Sequence, residues 1–268
     1  MNYKNGMPFD LVLVRHGESE GNREKKQFEA GNPESYADNF FLKHDSQYLL
    51  TTLGENQAKK TGNWLIKNKL SEFDRAYVSN IVRAQQTAGY LDLDIDWFEH
   101  YDLRERDGGL FYTFHPDHRD QHYQEEQKHW NTQPFLFRPP QGESMADVTT
   151  RIKGVLDTIA RECSGKKVII VCHGHVIRAF RIAIERMPIE KANNLLIGDQ
   201  DWAQVPNCSI FHYSRIDPNN GKPEKYLNWL RIISPSQDLD GEWNKIIRPR
   251  FSNEELLKRA LNNSIVPD

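Results

Sequence analysis

The sequence predicts an α/β fold, a three-layer α/β/α sandwich with a mostly parallel central sheet. Two short apolar runs rich in β-branched residues, Leu11 to Val14 and Val168 to Val171, have the pattern of strands buried on both faces. Segments with helical periodicity alternate with strand-like segments between these runs and after them. Such alternation is typical of a parallel sheet covered by helices on both sides.

Each further element is predicted from its own local pattern. The segment Leu50 to Lys69 places Ala58, Trp64 and Leu65 on a helical period, and the short run Arg75 to Val78 reads as a strand. The other predicted helices are Ala84 to Leu91, Met145 to Glu162, Val176 to Arg186 and a short one at Asn253 to Leu261. Two late strands are predicted at Cys208 to Tyr213 and Leu227 to Ile233. Together these elements fill one α/β domain.

We expect a single domain over residues 1–268 with two additions to the sandwich. From about 111 to 140 the chain becomes rich in aromatic residues and histidine, which predicts an insertion that folds over the main sheet and covers the active site. The C-terminal extension, from about 235 to 268, is polar apart from its short helix. Part of it is expected to wrap loosely over the surface.

Composition narrows the class of protein. A chain of 268 residues with 38% hydrophobic residues can bury a substantial core. It has no apolar run near the roughly 18 residues of a membrane helix and no signal-peptide pattern at its start, so we expect a cytoplasmic protein without a membrane partner. Three scattered cysteines indicate no disulfide framework. The formal net charge of -3 argues against nucleic acid as a partner, and no feature predicts an oligomeric state.

Charged and histidine side chains follow three of the predicted strands. The first strand runs into Arg15-His16-Gly17, the Val168 strand into His173-Gly174, and the Arg75 strand leads to Arg83 in the next helix. Ligands of open α/β folds bind at the carboxyl ends of parallel strands. Gly17 allows close backbone approach, and a helix starting there offers free N–H groups to an anion. The sequence therefore predicts a phosphate site at this edge.

Four separated motifs resemble, in order, the signatures of the histidine phosphatase superfamily, whose best-known relative is cofactor-dependent phosphoglycerate mutase. They are LVLVRHGESEGN, the S-N-x-x-R-A-x-Q-T-A stretch from Ser79, LRERDGG and VCHGH. The stretch LTTLGENQA from Leu50 is similar to the usual helix start of the family. A single R-H-G tripeptide is a weak signal, but four motifs in the family order are a specific one.

The resemblance implies a role for each matching residue. His16 would be the nucleophile that accepts the phosphoryl group, and Glu105, in the L-x-E motif, the proton donor to the departing oxygen. The phosphate oxygens would be held by Arg15, Arg83 and His173, with substrate contacts from Asn22, Gly17 and Gly174. This scheme needs no metal and no cofactor, and its partner is a small phosphorylated substrate.

The protonation states that these roles require are physically reasonable. Histidine attacks only when neutral, and the nearby cations Arg15 and Arg83 should lower the pKa of His16. Glu105 must be protonated to act as an acid, so we expect its pKa to be raised by burial or by the anionic substrate. Asp107 stands close in the sequence and is an alternative proton donor. His175 is expected to start the next helix rather than touch substrate.

A metal site in the insertion is a further candidate. His115, His118, His122 and His129 fall at spacings that can share a helix face, as some zinc and copper ligands do. No cysteine or carboxylate set of clear ligand spacing accompanies them, so a solvated surface is favoured.

Hydrolysis is favoured over mutase chemistry. The resemblance implies that a phosphoglycerate mutase carries two adjacent arginines after a tryptophan behind the L-x-E motif, and here the comparable stretch reads Trp130-Asn131-Thr132-Gln133. The function predicted is a phosphomonoester hydrolase, with the mutase as the alternative. A regulatory module that binds phosphate without turnover is a third reading, and the complete set of expected catalytic residues argues against it.

Overall fold

A mixed sheet of eight strands is the centre of the molecule in a computed structural model, which describes residues 6–32, 34–37, 40–198 and 200–262. The strands are β1 (Asp10–Arg15), β2 (Arg75–Val78), β3 (Trp97–Glu99), β4 (Lys167–Cys172), β5 (Ile210–Ser214), β6 (Trp229–Ser234), β7 (Leu239–Asp240) and β8 (Asn244–Lys245). They are ordered β3-β2-β4-β1-β5-β6-β7, and β8 also pairs with β6.

The parallel part of the sheet comprises β3, β2, β4 and β1. Beyond β1 the direction alternates, since β5 is antiparallel to β1 and β6 to β5, while β7 and β8 both run antiparallel to β6. The register pairs Arg15 with Cys172, so β1 and β4 end side by side. The parallel strands therefore bring their carboxyl ends to one edge.

Nine α-helices lie in the described part of the chain. They are α1 (Glu20–Glu29), α2 (Thr52–Lys67), α3 (Val82–Tyr90), α4 (Pro116–His122), α5 (Gln124–Thr132), α6 (Met145–Glu162), α7 (Gly174–Glu185), α8 (Ile189–Ile197) and α9 (Asn253–Asn262). None of the helices in these ranges is long and apolar enough to cross a membrane.

Two hydrophobic layers cover the two faces of the sheet. Leu11 and Leu13 of β1 pack in the layer that contains α6 and α7, while Val12 and Val14 pack in the layer that contains α2 and α3. All four side chains are fully buried, and burying each contributes roughly 1.5–3 kcal/mol. The α/β/α prediction is confirmed, and the uninterrupted apolar pattern of β1 follows from burial on both faces.

Local capping explains where the long helices begin. Helix α6 follows Ser144, whose hydroxyl accepts a hydrogen bond from the N–H of Asp147 while the Asp147 carboxylate accepts one from the N–H of Ser144. This reciprocal cap satisfies two of the free donors at the helix start. Helix α2 follows Thr51, whose hydroxyl accepts from the N–H of Gly54. Both helices agree with the sequence prediction within a few residues.

The structure differs from the sequence prediction in several places, and β3 and helices α1, α4 and α5 lie where no strand or helix range was predicted. Helix α7 begins at Gly174 rather than Val176, directly after the predicted site residue His173. Helix α8 was not predicted, although its residues Ala192 and Leu195 form a small buried cluster with Ile182 of α7 and Ala203. The C-terminal extension adds β7 and β8 to the sheet before it forms the predicted helix α9, and residues 263–268 lie outside the described part of the chain.

Candidate active site

Two histidines meet where the parallel strands β1 and β4 end. His16 follows β1 and His173 follows β4, and the N–H of His16 donates to the carbonyl of Cys172 at 3.0 Å. Their rings lie 5.1 Å apart between centroids, and both residues are buried. Adjacent parallel strands thus bring together two residues that are far apart in sequence.

The ring of His16 is held with a single nitrogen available for chemistry. Its Nδ1 lies 2.7 Å from the carbonyl oxygen of Gly17, and because a carbonyl only accepts, Nδ1 carries the proton. Nε2 then has a free lone pair, towards which the Nε of Arg83 donates at 3.3 Å. Burial, followed by the charges of Arg83, His173 and Arg15, holds the pKa of His16 well below its usual range. His16 is therefore neutral at physiological pH, as expected from the sequence.

His173 is also held neutral beside His16. Its Nε2 lies 2.8 Å from the hydroxyl of Ser79, which follows β2, and its buried Nδ1 has no hydrogen-bond partner among the residues that the structure describes. Burial and the charge of Arg83 lower the pKa of His173 well below its usual range. A buried polar atom without a partner is costly, so it marks a place where a ligand can supply a hydrogen bond.

Two arginines from different elements flank the histidines. Arg83, in the first turn of α3, donates through Nη1 to the carbonyl of Asp45 at 2.5 Å, and its Nη2 lies 3.4 Å from the Asp45 carboxylate. Arg15 donates through Nη1 to the carbonyl of Val205 at 2.5 Å, while its buried Nε has no partner in the described part of the chain. Burial lowers the pKa of Arg15 to about 10, so it stays charged at neutral pH. The edge of the sheet is electropositive.

Glu105 reaches the same site and is mostly buried, with a side chain that is 13% exposed. Its Oε1 accepts from the N–H of Arg106 at 2.8 Å and lies 3.6 Å from Nδ1 of His175. Burial alone would raise its pKa, but the hydrogen bonds that its carboxylate accepts from His175 and from the Arg106 N–H hold the pKa of Glu105 well below its usual range. The expectation that burial raises this pKa is therefore wrong for the site without substrate.

Asp107 is placed differently. It is exposed, and its Oδ1 accepts from the N–H of Gly109 at 2.7 Å in a turn. The carboxylate of Glu105 lies near the histidines, whereas that of Asp107 is used to close the turn.

The remaining predicted contacts, Asn22, Gly17 and Gly174, surround the histidines. Asn22 lies in the first turn of α1, where its side chain and that of Ser19 cap each other's N–H groups. A Cβ on Gly17 would lie 2.4 Å from the carbonyl oxygen of Gly54, so only glycine fits there. A Cβ on Gly174 would lie 3.6 Å from Nε of Arg15 and from an Nη of Arg178, in ordinary contact.

Several residues at the site were not singled out from the sequence. His175 lies in the first turn of α7, close to the expected helix start, but it also lies beside Glu105. Arg178, one turn further along α7, has a buried unpaired Nε and donates to the carbonyl of Ala203. The others are Ser79, Asp45 and Asn207. His175 and Arg178 are three residues apart on α7, and this helical spacing could have indicated from the sequence that both face the site. Asp45 and Asn207 lie outside the long helices and strands, so no periodic pattern pointed to them.

The segment 111–140 approaches the site at Tyr112, and also at Trp130 and Phe137, which contact Arg106 next to Glu105. Burial raises the pKa of Tyr112, the charge of Glu105 raises it further, and the charge of Arg83 lowers it. Arg106, next to Glu105, stacks on the ring of Trp130 at 4.6 Å and donates to the carbonyl of Phe137 at 3.2 Å. The pKa of Arg106 is lowered by burial.

The predicted histidine set lies elsewhere on this segment, where His118 and His122 stack on each other at 4.1 Å. Within the described ranges, no three potential ligands are grouped so as to hold a metal ion.

A family model decides the relationship of this chain to known proteins. The model of the histidine phosphatase superfamily, branch 1, matches residues 11–215, which include every site residue described above. The chain belongs to the histidine phosphatase superfamily. Within this superfamily, the sequence relatives are phosphoglycerate mutases and the solved neighbours are phosphatases.

Two sequence relatives show the level of similarity. The 2,3-bisphosphoglycerate-dependent phosphoglycerate mutase of Methylorubrum populi is 29% identical over 194 residues, covering 70% of this chain and 84% of the relative. The mutase of the same name from Parvibaculum lavamentivorans is 30% identical over 192 residues, covering 69% and 84%.

Solved structures share the fold at lower identity. A mycobacterial glucosyl-3-phosphoglycerate phosphatase in complex with inorganic phosphate has a TM-score of 0.59 at 21% identity, covering 76% of this chain and 89% of its own. A phosphoserine phosphatase of Entamoeba histolytica in complex with 3-phosphoglyceric acid has a TM-score of 0.54 at 21% identity, covering 80% and 93%. These similarities place the fold among histidine phosphatases.

Proposed function

We propose that this histidine phosphatase hydrolyses phosphate monoesters through a covalent phosphohistidine at His16. The observation that carries the proposal is the fixed ring of His16, whose Nδ1 proton is held by the Gly17 carbonyl so that a neutral Nε2 faces the guanidinium of Arg83. A neutral, oriented imidazole is what an attack on phosphorus requires. The low pKa of His16 keeps it ready without a separate base.

The first step forms the bond from Nε2 of His16 to phosphorus as the bond from phosphorus to the ester oxygen breaks. Arg15, Arg83 and His173 hold the phosphoryl oxygens and stabilise the charge that spreads over them. The unpaired Nε of Arg15 and Nδ1 of His173 are buried polar atoms that the phosphoryl group would satisfy. Gly17, Gly174 and Asn22 would complete the substrate contacts.

Glu105 gives the departing oxygen its proton. Its carboxyl is ionised before an anion binds, but a bound phosphate dianion adds negative charge beside it and so favours the protonated form. In the second step Glu105 takes a proton from water, whose oxygen attacks the phosphorus and releases inorganic phosphate from His16. His16 ends neutral, as it began, and no metal or cofactor takes part in the scheme.

The proposed substrate is a small phosphorylated molecule. The positive edge around His16 suits an anion, and the segment 111–140 would form the roof that selects the remainder of the molecule. Its aromatic side chains favour a leaving group with apolar surface. The mostly buried site argues for a cytoplasmic metabolite rather than a membrane or nucleic acid.

His16→Ala tests the mechanism. Hydrolysis of an aryl phosphate should fall by about 10⁴-fold or more, because the covalent route is lost. Acid-quenched wild type should trap a phosphoenzyme that is labile in acid and stable in base, and EDTA should leave the rate unchanged. The exposed His129→Ala is the matched control and should keep full activity. Activity that survives the loss of His16 would overturn the proposal.

Phosphoglycerate mutase activity is the second candidate, because the curated sequence relatives carry that name. Against it, Trp130 packs on Arg106 and is followed by Asn131, Thr132 and Gln133 rather than by a pair of arginines. A hydrolase releases phosphate from its phosphoenzyme to water faster than it transfers phosphate to phosphoglycerate. A faster transfer would make the protein a mutase. A phosphate-binding module without turnover would show neither reaction.

A further inference from the structure

Asn207 connects His16, in the loop after β1, with Asn22 in the first turn of α1. It is buried just before β5, and its Nδ2 donates to the carbonyl of His16 at 3.1 Å and to Oδ1 of Asn22 at 3.0 Å. One side-chain amide therefore bridges the backbone of the proposed nucleophile and the side chain of a proposed phosphate contact. None of the four family motifs includes this residue.

Backbone groups determine the orientation of both amides. The N–H of Ser19 lies 3.3 Å from the Asn22 amide and can only donate, so the atom facing it is Oδ1. The carbonyl of His16 can only accept, so Asn207 must present Nδ2 to it. The usual ambiguity between oxygen and nitrogen in an amide is removed at both residues.

The far end of the Asn22 amide is consequently a donor. Oδ1 accepts from both Ser19 and Asn207, whereas Nδ2 makes no hydrogen bond to any described residue. We propose that Asn207 is a positioning residue that locks Asn22 with its two N–H donors directed to the phosphoryl group on His16. This inference rests on the proposed function of the same site.

The backbone around Asn207 is itself tied to β1. Cys208 has a φ of 56°, a left-handed conformation that non-glycine residues adopt rarely. Its N–H lies 3.2 Å from the carbonyl of Arg15 and 3.3 Å from that of His16, and its carbonyl accepts from the hydroxyl of Thr61 at 3.1 Å. These bonds hold the unusual turn in place, and the turn directs the Asn207 side chain into the site.

A double-mutant cycle tests the inference. Asn22→Ala should lower kcat/KM for an aryl phosphate by about 10- to 100-fold, the usual effect of losing a hydrogen bond to a charged group. Asn207→Ala should give a loss of the same order, and the inhibition constant of inorganic phosphate should rise with it. The double variant should lose less than the product of the two single losses, because part of the effect of Asn207 is exerted through Asn22. Asn63→Ala, on the exposed side of α2, is the control.

Asn207→Asp provides a second, sharper measurement. A carboxylate cannot donate to His16 or Asn22, so it should cost more activity than alanine despite its matching size. The increase in melting temperature that inorganic phosphate gives to wild type should shrink in both Asn207 variants. Asn22→Ala is measured on an intact Asn207, so the cycle is informative even if one Asn207 variant folds poorly.

Additive losses in the double variant, or an Asn207→Ala enzyme with unchanged phosphate affinity, would overturn the inference. These outcomes are separate from the fate of the proposed function, which is decided by His16→Ala. If His16 is essential and the cycle is additive, then only the role of Asn207 fails.

Discussion

His16 and Glu105 are two titratable residues whose pKa values are lowered by different surroundings. For His16 burial and the neighbouring cations act in the same direction, and the result is the neutral form that the proposed attack on phosphorus requires. For Glu105 burial is opposed by the hydrogen bonds from His175 and the Arg106 N–H, and the result is a carboxylate where the proposed mechanism needs an acid. In the proposed mechanism the nucleophile is therefore ready beforehand, whereas the acid forms only when an anion binds.

Replacing Glu105 by glutamine should impair poor leaving groups most. Hydrolysis of an alkyl phosphate is expected to fall by about 10²- to 10⁴-fold, because an alkoxide cannot leave without a proton. Hydrolysis of p-nitrophenyl phosphate should fall less, because nitrophenolate leaves unprotonated. Steady-state kinetics on both substrates measure the difference. Asp107→Asn is the control, and a larger loss in this variant would assign the acid to Asp107 instead.

The same residue predicts how the rate depends on pH. Free Glu105 is ionised at neutral pH, so its protonated fraction and the kcat/KM for an alkyl phosphate should rise as the pH falls from 8 towards 5. His16 should not oppose this rise near pH 6.5, since its pKa lies well below that value. Division of the wild-type profile by the Glu105→Gln profile removes the titration of the substrate. A flat quotient would contradict the role of Glu105.

At the scale of elements, the start of α2 packs directly on the loop that follows His16. A Cβ on Gly54 would lie 2.0 Å from the carbonyl oxygen of Glu18, and the N–H of Thr51 donates to that same oxygen at 2.9 Å. Such backbone contact leaves no room for any side chain. The helix therefore fixes the position of the loop.

Gly54→Ala should accordingly lower both stability and activity. We expect a loss of about 1–3 kcal/mol from overpacking, together with a lower kcat as the loop moves. Gly154→Ala is the matched control, since Gly154 lies in α6 with open space around it and should gain about 0.5–1 kcal/mol from helix propensity. Urea titrations and kinetics on the two variants measure this. Equal effects would show that the contact is unimportant.

The elements also show what sequence patterns can reveal. β1, β4 and α6 were predicted almost to the residue, because double burial and a reciprocal cap leave strong local signals. Helix α8 and the strands β7 and β8 were missed, since their formation depends on packing partners elsewhere. For the same reason the motifs predicted roles for His16 and Arg83, which the structure places in contact, while the link from Asn207 to Asn22 could be seen only in the fold.

At the scale of the whole molecule, three buried histidines and the partly buried His175 couple stability to pH. Burial lowers the pKa values of His16, His173, His175 and His212 in the folded state. The unfolded chain has histidine pKa values near 6.5, so below that pH it binds more protons than the folded protein. The free energy of unfolding should therefore fall as the pH is lowered from 7.5 to 5.5.

Urea denaturation at several pH values tests this dependence. Each histidine contributes up to about 1.4 kcal/mol per unit of its pKa shift. His212→Gln removes one of the four, lies away from His16 on β5 beside Asp10, and should reduce the slope. The exposed His129→Gln should leave the slope unchanged. Equal slopes in wild type and His212→Gln would contradict the assignment.

The antiparallel strand β5 has a consequence for how the chain folds. Because β5 is antiparallel to β1, it begins at the edge of the sheet where β1 ends. Asn207, just before β5, therefore lies beside His16, although the two residues are 191 positions apart in the chain. Until β5 is added, β1 has an open edge with apolar side chains on both faces, which invites intermolecular strand pairing. Contacts this distant in sequence form slowly. We therefore expect the addition of β5 to the sheet and the completion of the site to occur together, late in folding. A chain that stops folding before β5 is added would be both aggregation-prone and inactive.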